Sequence, residues 1–99
     1  MEILKEQNGT ELTLKLEGQL DALTAPELGK VIDESIEGVT LITLDMEKLK
    51  YLSSAGLRVL MIAQKKMHDK GSIKIVGANE TIMEVFSLTG FNGVFDIEK

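Results

Sequence analysis

The chain has 99 residues, 43% of them apolar, a formal net charge of −5 and no cysteine. A chain of this size builds one domain around one hydrophobic core, and the missing thiols exclude disulfide frameworks and cysteine chemistry. With 16 Asp and Glu against 11 Lys and Arg, one Tyr and no Trp, it also lacks the basic footprint and stacking platforms that nucleic acid needs. The opening Met1-Glu2-Ile3-Leu4-Lys5-Glu6 carries no secretory signature. The apolar runs 39–44 and 57–63 fall far short of the ~18 residues that span a bilayer, so the expected compartment is the cytosol.

Two extended runs flank Asn8-Gly9, a dipeptide suited to a tight hairpin because both residues tolerate positive φ. Leu12, Leu14 and Leu16 then alternate with Thr13, Lys15 and Glu17, the period of a half-buried strand. Thr24-Ala25-Pro26-Glu27 reads as a capping box: the Thr24 hydroxyl accepts an early helix amide while Glu27 reaches back to the Thr24 amide. The helix it opens carries Leu28, Val31, Ile32 and Ile36 on one stripe and stops at Gly38. Residues 39–44 are nearly all apolar, the pattern of a central strand covered on both faces, and the strand is expected to end at Asp45. An irregular stretch, 46–52, leads into Ser53-Ser54-Ala55-Gly56 and a second helix running to about Asp69. Leu57, Leu60 and Met61 form its apolar side, widened by Val59, Ile62 and Ala63, and Met61 is expected to fill core. Lys65, Lys66, His68 and Lys70 gather where the helix dipole favours positive charge, and Gly71 supplies the stop.

Ile73 and Ile75 alternate with Lys74 in a shorter strand over 72–76. Asn79 caps a third helix with Ile82, Val85, Phe86 and Leu88 on one face, closed by Gly90. The tail from Phe91 to Lys99 reads equally as a last short strand or as a cover for the core edge. Strand, strand, helix, strand, helix, strand, helix makes two βαβ units after a hairpin. The fold class is therefore α/β: a single domain over 1–99 with a mixed β-sheet, an N-terminal hairpin plus parallel strands joined by right-handed crossovers, and helices packed on it.

Ser54-Ala55-Gly56 at a helix start matches half of a nucleophile elbow. Leu52, however, stands where that motif needs glycine, and Ser54 falls nine residues past Asp45. His68, the one histidine, lies 14 residues further along the same helix, about 21 Å away and out of reach. Neither 53–58 nor Gly77-Ala78-Asn79 has the glycine spacing of a nucleotide loop. Asp33 with Glu34, and Asp45 with Glu47, read as charged surface instead of acid and base pairs. A transition metal would have almost only carboxylates to bind, so no metal or cofactor is expected. Two readings of the Ser53-Ser54 element stay open. One is plain N-capping, with Gly56 permitting close packing on the sheet. The other is a phosphoryl acceptor whose added charge of about −1.5 to −2 the free helix amides hold.

Gly18-Gln19-Leu20-Asp21 with Thr24 and Pro26, followed by Leu49-Lys50-Tyr51-Leu52-Ser53-Ser54-Ala55-Gly56-Leu57-Arg58-Val59-Leu60, resembles the STAS domain of anti-sigma factor antagonists. The resemblance covers nearly the whole chain. It implies the STAS fold and a non-enzymatic, cytoplasmic regulator of bacterial transcription that works by partner switching. Such a protein, when unphosphorylated, binds an anti-sigma factor that is also a serine/threonine kinase, and so releases the sigma factor. The kinase, which holds the ATP, phosphorylates the antagonist and ejects it, and a metal-dependent PP2C-type phosphatase resets it. The family usually reads Asp-Ser-Ser-Gly-Leu at the switch and is phosphorylated on the serine after the aspartate. Alignment on Gly56-Leu57 carries that role to Ser54, with Ser53 in the aspartate position as second choice and Ala55 in place of the second serine.

By the same resemblance, the partner surface runs over Asp21 to Thr24, Ser53 to Arg58 and the exposed side of the second helix's first turns, with Asp21, Thr24, Ser53, Ala55, Gly56 and Arg58 as its named contacts and Asp21 expected beside the Ser54 loop. Arg58, the sole arginine, reads equally as a partner to Asp21 or to a carboxylate of the other protein, and as a solvated helix residue. Met61 and Met67 offer adaptable apolar contact, with core filling the stronger reading for Met61. The other functional reading is a STAS scaffold in a sensory or transport assembly that is never phosphorylated. Neither reading involves nucleic acid or a membrane.

Overall fold

A computed structural model describes residues 1–98, and of Asn92 the backbone only. β1 (Glu2–Asn8) and β2 (Glu11–Leu20) pair antiparallel. Asn8 pairs with Glu11, so it belongs to the ladder and the turn is Gly9-Thr10, with Gly9 alone taking positive φ, +64°. The expected Asn8-Gly9 turn is thus displaced by one residue. Next come α1 (Ala25–Ser35), β3 (Leu41–Leu52), α2 (Ser54–Met67), β4 (Ser72–Val76) and α3 (Glu80–Thr89), then a 3-10 turn (Phe91–Gly93) and β5 (Asp96–Glu98). The sheet order is β1-β2-β3-β4-β5, with β2 to β5 mutually parallel.

The tail does both things expected of it: Asp96–Glu98 form a last short strand and Phe95 joins the buried core. Ile97 pairs with Ile75, and Phe95 is buried with its ring centroid 6.1 Å from those of both Phe86 and Phe91. Its last residue, Lys99, lies outside the described residues. Among those residues no helix is long and apolar enough to cross a membrane.

One face of the sheet carries the core. Leu12, Leu14 and Leu16 of β2, Ile42, Leu44 and Met46 of β3, and Ile73 and Ile75 of β4 are buried, and Leu28, Ile32, Leu57, Leu60, Ile82 and Phe86 of the helices join them in one cluster. Thr13, Thr43 and Lys74, which line up across the other face, are only half-buried. β3 is therefore covered on one face, contrary to what its apolar run implies.

β3 also continues through the stretch expected to be irregular. Between Lys15 and Glu17 of β2 the partner strand advances from Asp45 to Lys48, and between Gly18 and Gln19 it advances from Leu49 to Tyr51. Each shift inserts an extra residue into β3. The buried positions Met46, Leu49 and Leu52 consequently recur every third residue, and the period-two signature of a strand is lost.

Helix faces follow from the same core. Gly56, Leu57, Leu60, Ala63 and Met67 form the buried stripe of α2, which leaves Met61 and Ile62 exposed and takes Met67 fully inside. The expected roles of the two methionines are exchanged. Leu88 lies off the Ile82–Phe86 face and is 80% exposed. Gly90 takes φ +77° as the C-cap of α3, whereas α1 already ends at Ser35 with Ile36 as its cap, so Gly38, at the same φ, belongs to the following turn; Gly71 has no positive φ and instead lies against the backbone of Thr40.

Gly29 differs from these. It sits inside α1 without positive φ, and an added Cβ would meet only Val59 Cγ1, at 3.8 Å. Gly29→Ala is expected to raise stability by about 0.5–1 kcal/mol, read from urea unfolding, because the chain loses less backbone freedom and gains an ordinary contact.

Candidate functional site

Parallel pairing brings the two motifs to one end of the sheet. Leu20 and Leu52 are register partners at the ends of β2 and β3, and the Ser53 amide donates to the Leu20 carbonyl at 2.9 Å. Asp21 leaves one strand where Ser53 leaves its neighbour, and α1 and α2 begin just beyond.

The two serines have different roles. Ser53 is the N-cap of α2: its backbone is extended, and its Oγ accepts from the Gly56 amide at 3.4 Å. Ser54 is the first helical residue, exposed, and its hydroxyl makes no hydrogen bond to the described residues. Because β3 reaches Leu52, Ser54 follows a sharp strand-to-helix turn, which corrects the long separation expected from a strand ending at Asp45. His68 is the C-cap of the same 14-residue helix and is exposed at its far end, so no histidine stands near Ser54. Ser53→Ala is expected to lower the unfolding free energy by about 0.5–1 kcal/mol in chemical denaturation, since the lost cap bond is long.

Gly56 lies under this surface. A Cβ there would come within 2.7 Å of Leu52 Cδ1, 2.8 Å of Leu20 Cγ and 3.0 Å of the Leu20 carbonyl oxygen. Its lack of a side chain seats the first turn of α2 on the ends of both strands. Gly56 supports the surface and, being buried, does not itself form it. Ala55 is half-buried, whereas Arg58 is exposed and has no ion-pair partner among the described residues, Asp21 included.

The expected capping box at Thr24 does not form. Asp21 Oδ1 accepts from the Leu23 and Thr24 amides at 3.0 and 3.2 Å, so the amide that Glu27 was to reach is already taken. The Thr24 hydroxyl accepts from the Asp21 amide at 2.9 Å and donates to the Gln19 carbonyl at 2.8 Å, leaving α1 without a side-chain cap bond. An aspartate that bonds the amide two residues on makes an Asx turn, and here it ties residues 19–25 into one closed loop.

The family model of the STAS domain matches residues 2–99. The chain belongs to the STAS domain family. It is similar to the anti-sigma-B factor antagonist of Listeria monocytogenes, with 26% identity over 98 residues that make up 96% of this chain and 85% of that one. Among solved structures, an anti-sigma factor antagonist from Mycobacterium paratuberculosis matches with a TM-score of 0.87 at 22% identity, over 97% of this chain and 83% of the other. The Bacillus cell fate determinant SpoIIAA in its phosphorylated form matches with a TM-score of 0.78 at 19% identity, over 99% and 92% of the two chains.

The expected contact stretch Asp21 to Thr24 includes one large apolar side chain that the structure leaves in solvent. Leu23, in the loop that Asp21 pins, is 90% exposed.

Proposed function

We propose that this STAS protein is an anti-sigma factor antagonist that acts in the cytoplasm as a phosphorylation-controlled partner switch. Unphosphorylated, it binds an anti-sigma factor that is a serine/threonine kinase and thereby frees the sigma factor. Transfer of the γ-phosphoryl group of the kinase's ATP to Ser54 Oγ ends the binding, and a PP2C-type phosphatase restores it. The carrying observation is the exposed, unengaged Ser54 hydroxyl at the first position of α2, beside a Ser53 hydroxyl already used as the cap.

Local physics supports a phosphate at this position. The first amides of α2 have no intrahelical carbonyl to bond, and the helix dipole is positive there, so the free fold accommodates the new charge. Similarity to the Listeria antagonist, and a shared fold with a Bacillus protein solved in phosphorylated form, support the same reading. The contact surface comprises Asp21, Thr24, Ser53, Ala55 and Arg58 around Ser54, with Gly56 beneath.

The test is incubation with an anti-sigma factor kinase from the same genome and ATP, followed by mapping of phosphate by mass spectrometry. Phosphate on Ser54 is the expected result. A chain that binds the kinase yet stays unmodified at both Ser53 and Ser54 would sink the switch and leave the scaffold role in a sensory or transport assembly.

A further inference from the structure

We infer that Leu23 is the apolar anchor through which this protein docks on its anti-sigma factor kinase, entering an apolar socket with a basic rim; the inference rests on the partner-switch reading above. Leu23 is 90% exposed, so nearly all of its side chain is available for burial by a partner.

Exposure here does not mean freedom. The Leu23 amide donates to Asp21 Oδ1 at 3.0 Å, the Thr24 amide does so at 3.2 Å, the Thr24 hydroxyl bonds Gln19 and Asp21, and the Ala25 amide donates to the Asp21 carbonyl at 2.8 Å. A leucine held out on a loop closed this way has little backbone entropy left to lose on docking. Leu88, at 80% exposure, lies near the C-terminal end of α3 and outside the loop that adjoins Ser53.

Position joins Leu23 to the switch. It lies three residues beyond Leu20, whose carbonyl holds the Ser53 amide, and three residues reach at most ~10 Å. Leu23 and Ser54 thus lie within three residues and one residue of the Leu20–Ser53 junction, close enough for the footprint of one standard-size partner.

Charge selects the occupant. Asp21 spends Oδ1 on the loop while Oδ2 accepts from none of the described residues, and Glu27 is exposed in the first turn of α1. A second copy of this chain would bring the same acids against each other, and an anionic membrane surface repels a chain of net charge −5. A protein with an apolar socket and basic side chains around it complements both features.

The test titrates the full-length wild type, Leu23→Ala, Leu23→Ser and Leu23→Met into the purified kinase by calorimetry, with thermal melts of each chain. Kd is expected to rise roughly 10- to 30-fold for the Ala and Ser variants and to stay within about threefold for Met, with melting unchanged because the side chain touches so little. Wild-type affinity in Leu23→Ala and Leu23→Ser overturns the anchor and leaves the switch intact. Failure of the wild type to bind the kinase overturns both. Sedimentation supplies one more outcome against the proposal: a wild-type dimer that Leu23→Ala abolishes, with kinase affinity unaltered, assigns Leu23 to self-association.

Discussion

Ser54→Asp is expected to weaken binding to the anti-sigma factor kinase at least tenfold while leaving the unfolding free energy of the free protein within about 1 kcal/mol of wild type. Ser54 begins α2 on the surface, so the new carboxylate displaces no core atom and faces the positive end of the helix. The cost arises on binding. Two unit negative charges at a separation of ~6 Å repel by ~0.7 kcal/mol in water and ~3 kcal/mol at an effective dielectric of 20, and Asp21 is the carboxylate at this end of the sheet. Covering the site with a partner moves it from the first regime toward the second, and the difference of ~2 kcal/mol is about 30-fold in affinity before salt screening.

Phosphate, at about −2, roughly doubles the effect and takes the chain's net charge from −5 to about −7. Ser54→Ala is expected to bind like the unmodified wild type and never to be released. Calorimetric titration reads the affinities and urea unfolding the stabilities. Unchanged affinity in Ser54→Asp, or its unfolding at room temperature, contradicts this account.

Gly71→Ala is expected to lower stability by about 3 kcal/mol, which for a domain of this size lowers Tm by about 12–24 °C. A Cβ at Gly71 would lie 1.7 Å from the Thr40 carbonyl oxygen and 2.6 Å from its carbon, and those are backbone atoms that cannot turn aside. Thr40 is itself held: its amide donates to the Thr10 carbonyl at 2.8 Å, and its carbonyl accepts the Ser72 amide at 3.1 Å. Relief therefore requires moving the junction that aligns the starts of β2, β3 and β4. Differential scanning calorimetry decides the matter, and wild-type melting in Gly71→Ala removes the steric argument. Gly29→Ala adds the same methyl group with the opposite expected sign, so the pair separates position from composition.

Much of the fold was legible because its signals are local. Alternating leucines, helical stripes, Asn79 before α3 and Gly90 after it each act within about four residues, and each element exists where those signals lie. β3 beyond Asp45 was not legible, since the spacing of Met46, Leu49 and Leu52 becomes a strand pattern only when β2 supplies the register shifts that absorb the extra residues. The hairpin turn moved by one residue for the same reason: Asn8 had a ladder partner to gain.

At the site, the order of the chain by itself determined that two hydroxyls stand before a helix and that one of them serves as its cap. The structure makes Ser53 that cap and leaves Ser54 as the exposed first helical residue. What only the tertiary structure decided is what surrounds that serine. Gly56 is obligatory because Leu20 and Leu52 converge beneath it, Met67 is inside and Met61 outside because of where the sheet lies, and Leu23 stands exposed because Asp21 closes its loop. Caps and periodicities are settled between near neighbours in the chain, whereas close approach, burial and exposure depend on atoms that only folding brings together.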